Sequence, residues 1–221
     1  MKQDPARRIP ATERRESILA AASIEFGIRG YGGATTNQIA RRAGISQPYV
    51  MRMFGTKEAL FLEAFRNAFQ YLTLAIREAI SESLAAGDDR DEMGDRLRSA
   101  YVGLIDGRGI LQLLMRGPAE IPGSVIGETA RAALLQIYAI LRDDGHLDPE
   151  RIRRLLADGA LVSHITTLRI VDECRTSEEA LDLLSLTFQG HSRSLPSQDG
   201  TAAPSQEPSP TSLRTADRDS R

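Results

Sequence analysis

The most specific chemistry in this sequence lies between positions 36 and 57, where Thr36, Arg42, Gln47, Pro48, Tyr49, Arg52 and Lys57 alternate with Ile39, Ala40, Ala43, Ile45, Val50 and Met53. The apolar set repeats at helical spacing, so it takes the inner faces of two short helices and turns the polar set outward. Glutamine at the start of a helix can pair with an adenine edge or bridge a phosphate. Tyrosine can pack on a thymine methyl or donate to a phosphate, and the planar fork of an arginine such as Arg52 fits guanine or a phosphate. Lys57, beside the positive end of the next helix, suits a phosphate oxygen. The chemistry on offer is recognition of duplex DNA. The same residues would also be at ease on the solvated face of a helical hairpin; the glycine, small and apolar pattern around them favours the first reading.

The elements that must hold these residues follow from caps and breakers. Ile18, Ala21, Ala22 and Phe26 form one stripe of a helix over 13–29, ended by the glycines from 27 to 33. Thr35 with Gln38 three residues later reads as a capping box for a second helix, which Gly44 ends near Ala43. Ser46 opens a third with Pro48 in its first turn, and Gly44 supplies the backbone freedom of the tight turn between them. This spacing is that of a helix-turn-helix, in which the second helix enters the major groove and the first crosses the backbone. Thr56 caps a fourth helix running to about 83. Further helices are expected near 88–106, 108–116, 124–143, 149–172 and 177–189, the one at 149 opened by Asp148-Pro149 and the last by a Thr176/Glu179 capping box. No stretch alternates with strand periodicity, so the fold class expected is all-α: an N-terminal three-helix DNA-binding domain followed by a helical ligand-binding and dimerisation domain. The divisions expected are a flexible arm at 1–12, the helix-turn-helix domain at 13–56, the effector-binding and dimerisation domain at 57–191, and a Pro- and Ser-rich tail at 192–221 too poor in apolar residues to order itself.

Charge is divided unevenly. The chain of 221 residues carries 28 basic and 30 acidic side chains, but positions 1–60 hold ten basic groups against five acids, a charge of +5 that leaves −7 for the rest. A basic head on an acidic body is the asymmetry of a protein whose two ends meet different partners. Apolar runs are too short to span a bilayer and the N-terminus lacks a secretion core, so a cytoplasmic location without membrane association is expected. The single Cys174 excludes an intrachain disulfide and cannot alone build a zinc site. Catalysis is not expected: there is no phosphate-cradling loop, no zinc-binding HExxH and no nucleophile elbow, and His146, His164 and His191 lack ligand spacing. No cofactor or metal is implied.

Over residues 14–65 the sequence resembles the tetracycline-repressor (TetR) family of transcriptional regulators, through Phe26, Gly30, Thr35-Thr36, Ile39-Ala40, Ala43-Gly44-Ile45-Ser46, Phe54 and Lys57-Glu58-Ala59-Leu60. It departs from the family where an aromatic pair commonly precedes Phe54. Met53 fits the core role there, whereas Met51 has no hydroxyl to give a phosphate, and Tyr49 is a candidate replacement. The resemblance implies a homodimer, its last two long helices packing against their mates, that binds a palindromic operator and is released by a small-molecule effector. The apolar girth of those helices agrees with this, and Leu161, Ile165, Leu168, Leu184 and Phe188 are the interface candidates. Effector cavities in such regulators lie among the middle helices, which here offers Phe69, Tyr101, Leu104, Met115, Tyr138 and His164, all equally suited to ordinary core. The alternative is a helical ligand carrier or adaptor whose helix-turn-helix has lost operator affinity.

Overall fold

A computed structural model describes residues 10–105, 109–116, 123–173 and 176–187, and the regular structure among them is helical. Ten helices follow in order: α1 (Ala11–Gly33), α2 (Thr36–Arg42), α3 (Gln47–Phe54), α4 (Lys57–Ala86), α5 (Arg90–Val102), α6 (Ile110–Arg116), α7 (Val125–Ala139, continued by a wider turn over Ile140–Asp144), α8 (Pro149–Thr167), α9 (Ile170–Glu173) and α10 (Glu178–Thr187). The expected caps hold most of these starts. Thr35 and Gln38 form the reciprocal box on α2, Thr56 accepts from the Ala59 amide at 3.0 Å, and Asp148 accepts from the Arg151 amide at 3.0 Å. Asp89 with Glu92 builds a second box on α5, giving the acidic cluster there a structural job.

Three expectations are corrected. The helix expected over 149–172 is two helices, because the chain turns at Leu168 and Arg169, where Arg169 takes a left-handed φ of 56°. The cap of α10 is Ser177, whose hydroxyl accepts from the Ala180 amide, in place of Thr176. Ser46 stands at the N-cap of α3, yet its hydroxyl caps no amide. Within α1 the helical backbone breaks at Gly30, which agrees with a first helix ending near 29.

Two apolar cores stack along the molecule. The first gathers Ile18, Ala22, Phe26, Ile39, Ala40, Val50, Leu60, Phe61 and Phe65 from α1–α4 and is completed by Ile110 and Leu113 of α6 and Ile126, Ala130 and Ala133 of α7. The second lies between α4, α5, α7 and α8, around Ile76, Ile80, Met93, Leu97, Leu141 and Ile152. Leu114 of α6 packs against both. Helix α4, with 30 residues and so about 45 Å long, is common to the two cores. An aromatic cluster fixes α1 on it: Phe61 meets Phe26 edge-on at 4.9 Å and Tyr31 at 5.3 Å, geometries that favour aromatic pairs beyond their buried area.

The contact between α6 and α1 is unusually close. A methyl group on Gly27 would stand 3.0 Å from Cβ of Gln112 and 3.0 Å from the Gly109 carbonyl oxygen; one on Gly109 would stand 2.8 Å from Cα of Ile24. Backbone touches backbone here, so the body of the protein is seated directly on the first helix. No helix among the described residues is long and apolar enough to cross a membrane.

Candidate nucleic-acid interface

Helix α2 is fixed before α3 can be presented. Ile39 and Ala40 are buried in the first core, and Glu25 of α1, itself only 5% exposed, accepts from Nε of Arg42 at 2.7 Å and from Nε of Arg29 at 2.9 Å. Burial pushes the Glu25 carboxyl up, but the hydrogen bonds and charges of Arg42 and Arg29 outweigh it and hold it below the ordinary carboxylate range. Arg42, expected as a DNA contact, is thus engaged in fastening α2 to α1. That link joins residues far apart in sequence, and a helical pattern carries no signal for it.

The turn between α2 and α3 closes through the Ile45 amide donating to the Ala40 carbonyl at 3.0 Å, with Gly44 at φ +68° and open space where a side chain would begin. Val50 and Phe54 anchor α3 in the core, while Ile45 and Met53, expected among the buried set, pack half-buried at its margin. The amide nitrogen of Gln47 donates to the Thr36 hydroxyl at 3.3 Å, tying the first residue of α3 to the first of α2. Pro48 and Arg52 are exposed; Thr36, Gln47 and Tyr49 are half-buried. Tyr49 packs against the core edge under two guanidiniums, Arg52 at 4.8 Å and Arg14 of α1 at 5.5 Å from its ring centroid. Lys57 begins α4 with its ammonium over the Tyr31 ring at 4.6 Å. Arg42 keeps its exposed position while bonded to Glu25, and Arg14, outside the motif, also reaches the Tyr49 ring.

The effector candidates do not converge. Phe69 packs on the first core and Tyr101 and Leu104 on the second; Met115 is half-buried on α6. Tyr138 is exposed under Arg142, and His164 is exposed with Nδ1 2.9 Å from the Ala160 carbonyl of its own helix. Tyr101 is the polar anchor of the group: its hydroxyl lies 2.6 Å from that of buried Ser163, and burial pushes its phenol up against the opposing effect of that hydrogen bond. Of the interface candidates, Ile165 and Leu184 are buried within the chain itself, Leu161 and Leu168 are exposed, and Phe188 lies outside the described residues, as do Cys174, His191 and the tail from 192 onward.

Residues 18–64 match the profile of the bacterial regulatory proteins of the tetR family. The chain carries a TetR-family domain. The matched span covers the second half of α1, the helix-turn-helix and the start of α4, the segment whose geometry is given above. The chain is 35% identical over 99 residues to the HTH-type transcriptional activator FasR of Mycolicibacterium smegmatis, covering 45% of this chain and 42% of that one. It is 31% identical over 80 residues to the HTH-type transcriptional regulator BetI of Agrobacterium fabrum, covering 36% and 37%. The chain thus spans less than half the length of these relatives, one a transcriptional activator and the other a transcriptional regulator. The TetR-like fold extends over the body as well. A TetR-like regulator from Rhodococcus sp. RHA1 superposes with a TM-score of 0.55 at 19% identity, over 83% of this chain and 98% of that one. The fatty acid degradation regulator FadR of Bacillus halodurans does so with 0.54 at 15%, over 79% and 95%.

Proposed function

We propose that this TetR-family protein is a ligand-responsive transcriptional regulator that binds a palindromic operator as a homodimer, represses by occupying it, and is released by a small-molecule effector. The observation that carries this reading is the α2–turn–α3 unit: its apolar side is closed into the first core, while Gln47, Pro48, Tyr49 and Arg52 line the free side of α3 on the basic part of the chain. A helix so presented enters the major groove, with Gln47 and Arg52 placed toward base edges or phosphates and Lys57 toward the backbone. Two copies are needed to read two half-sites about one DNA turn apart. Leu161, Leu168, Leu181 and Leu186, all exposed on α8, α10 and the link between them, are apolar side chains that a mate packing on these helices would cover.

For the effector, Tyr101 and Leu104 stay together in the second core, and the Tyr101–Ser163 pair offers a polar handle in apolar surroundings. Such a ligand acts only by binding the DNA-incompetent arrangement better than the competent one. The contact of α6 on α1 is a direct route from the body to the helix-turn-helix.

Mobility-shift titration with DNA fragments from around the protein's own gene tests the reading. Sequence-specific binding that weakens steeply with salt is expected, because each phosphate contact releases counterions. Arg52→Ala should cost about 1–3 kcal/mol of operator affinity without altering the oligomeric state in sedimentation. Indifference of the parent protein to every fragment would leave the carrier or adaptor reading standing.

A further inference from the structure

Among the described residues, the two guanidiniums over Tyr49 have no counter-ion. Arg15 is paired with Glu63, and Arg29 and Arg42 share Glu25, whereas among the described residues no carboxylate pairs with Arg14, Arg52 or Arg41, and of these three only Arg14 and Arg52 lie over the Tyr49 ring. Each cation is drawn to the ring, and each is repelled by the other. A ring on α3 thereby holds one cation from its own helix and one from α1 at fixed reach. Beside this stack opens a groove of about 300 Å³ between α1 and the α2–α3 turn, with Arg14, Ser17, Gly44, Ser46 and Tyr49 among its walls and Glu13 as its acid. The Ser46 hydroxyl, which caps no amide of α3, stands in the same wall.

We propose that Arg14 and Arg52 are paired contacts to the DNA phosphate backbone, their spacing set by the Tyr49 ring, so that α1 grips the duplex together with α3. This rests on the DNA-binding reading and extends it outside the helix-turn-helix. Duplex DNA carries a negative charge for about every 1.7 Å of its axis, so a rigid pair of cations finds phosphates for both arms whatever the sequence. Tyr49 is then a positioning residue whose aromatic face does the work; its hydroxyl and any thymine contact are dispensable. Lysine cannot take the place of Arg14, since a compact ammonium lacks the flat face that stacks and the fork that binds phosphate in two places.

The test is fluorescence anisotropy of the full-length protein with a labelled duplex of arbitrary sequence, across a potassium chloride series. Arg14→Ala is expected to lower the slope of log affinity against log salt by about one, the loss of one phosphate contact. Tyr49→Leu should lower it similarly, Tyr49→Phe should lower it less than Tyr49→Leu, and Arg14→Ala combined with Tyr49→Leu should lose less than the two single effects added. Circular dichroism melting checks that each variant is folded, and Arg14→Gln repeats the charge removal with a longer side chain. A parental slope for both Arg14 variants, or equal losses for Tyr49→Phe and Tyr49→Leu, would overturn the inference while leaving DNA binding intact. A parent protein that shows no salt-dependent binding to duplex would overturn the functional reading and this inference with it.

Discussion

Replacing Gly109 by alanine probes the seating of the body on α1, and the coordinates set its cost. The added methyl would lie 2.8 Å from Cα of Ile24, 2.9 Å from the Ser23 carbonyl oxygen and 3.0 Å from the Ile24 nitrogen, all backbone atoms of a helix that cannot rotate aside. Gly109 also has φ +64°, where an L-residue pays about 1–2 kcal/mol. Overpacking of this kind adds about 1–3 kcal/mol, for a total of about 2–5 kcal/mol. Gly44→Ala is the matched control: its φ of +68° carries the same conformational penalty, but nothing lies within 4 Å of the new methyl. With a urea slope of about 2 kcal/mol/M, Gly109→Ala lowers the unfolding midpoint by about 1–2.5 M and Gly44→Ala by about 0.5–1 M. The gap between the two variants is the steric part. If the two midpoints coincide, α6 and α1 are not in backbone contact, and the proposed route from the body to the helix-turn-helix fails.

Two further outcomes follow from buried polar links. Glu25→Gln should cost about 1–2 kcal/mol at neutral pH, a modest figure because both arginine partners are more than two-fifths exposed. Since the folded Glu25 carboxyl sits below its ordinary value of 4.5, the clamp contributes fully above that value and is lost as pH falls through the lower folded one. Parent and variant should therefore converge in acid denaturation profiles as the pH drops below 4.5 and through the lower folded value, and a gap that fails to narrow over that fall, or widens, would assign Glu25 a different role. Tyr101→Phe strands the Ser163 hydroxyl, which is 1% exposed, and should lower stability by about 1–2 kcal/mol; adding Ser163→Ala should cost little more, because the orphaned group is then gone. Full additivity in chemical denaturation would mean that the two hydroxyls do not interact.

What could be read from the sequence was local. Caps at Thr35, Thr56 and Asp148, the Gly44 turn and the apolar spacing of Ile39, Ala40 and Val50 act over a few residues, and all recur in the structure. The break at Arg169 did not announce itself, because neither glycine nor proline marks it and the apolar pattern runs through it unaltered. The Glu25–Arg42 clamp and the reach of Arg14 to Tyr49 depend on how α1 lies across α2 and α3, which no periodicity encodes. For the effector candidates the sequence offers a place among the middle helices and a side-chain character, but no helix rotation. Tyr138 and His164 proved to face outward because helix rotation, set by the buried residues on the opposite side, decides which side chains turn inward.

The first core has a consequence for modularity. Ile18, Phe26 and Phe61 are sealed from water partly by Ile110, Leu113, Ile126 and Ala130, residues that come long after the helix-turn-helix in the chain. A fragment cut after Phe54 would bare that apolar surface, and a chimera that grafts these first helices onto a foreign body would have to supply an equivalent lid. The recognition head is a portion of a larger fold, not a cassette to be moved at will.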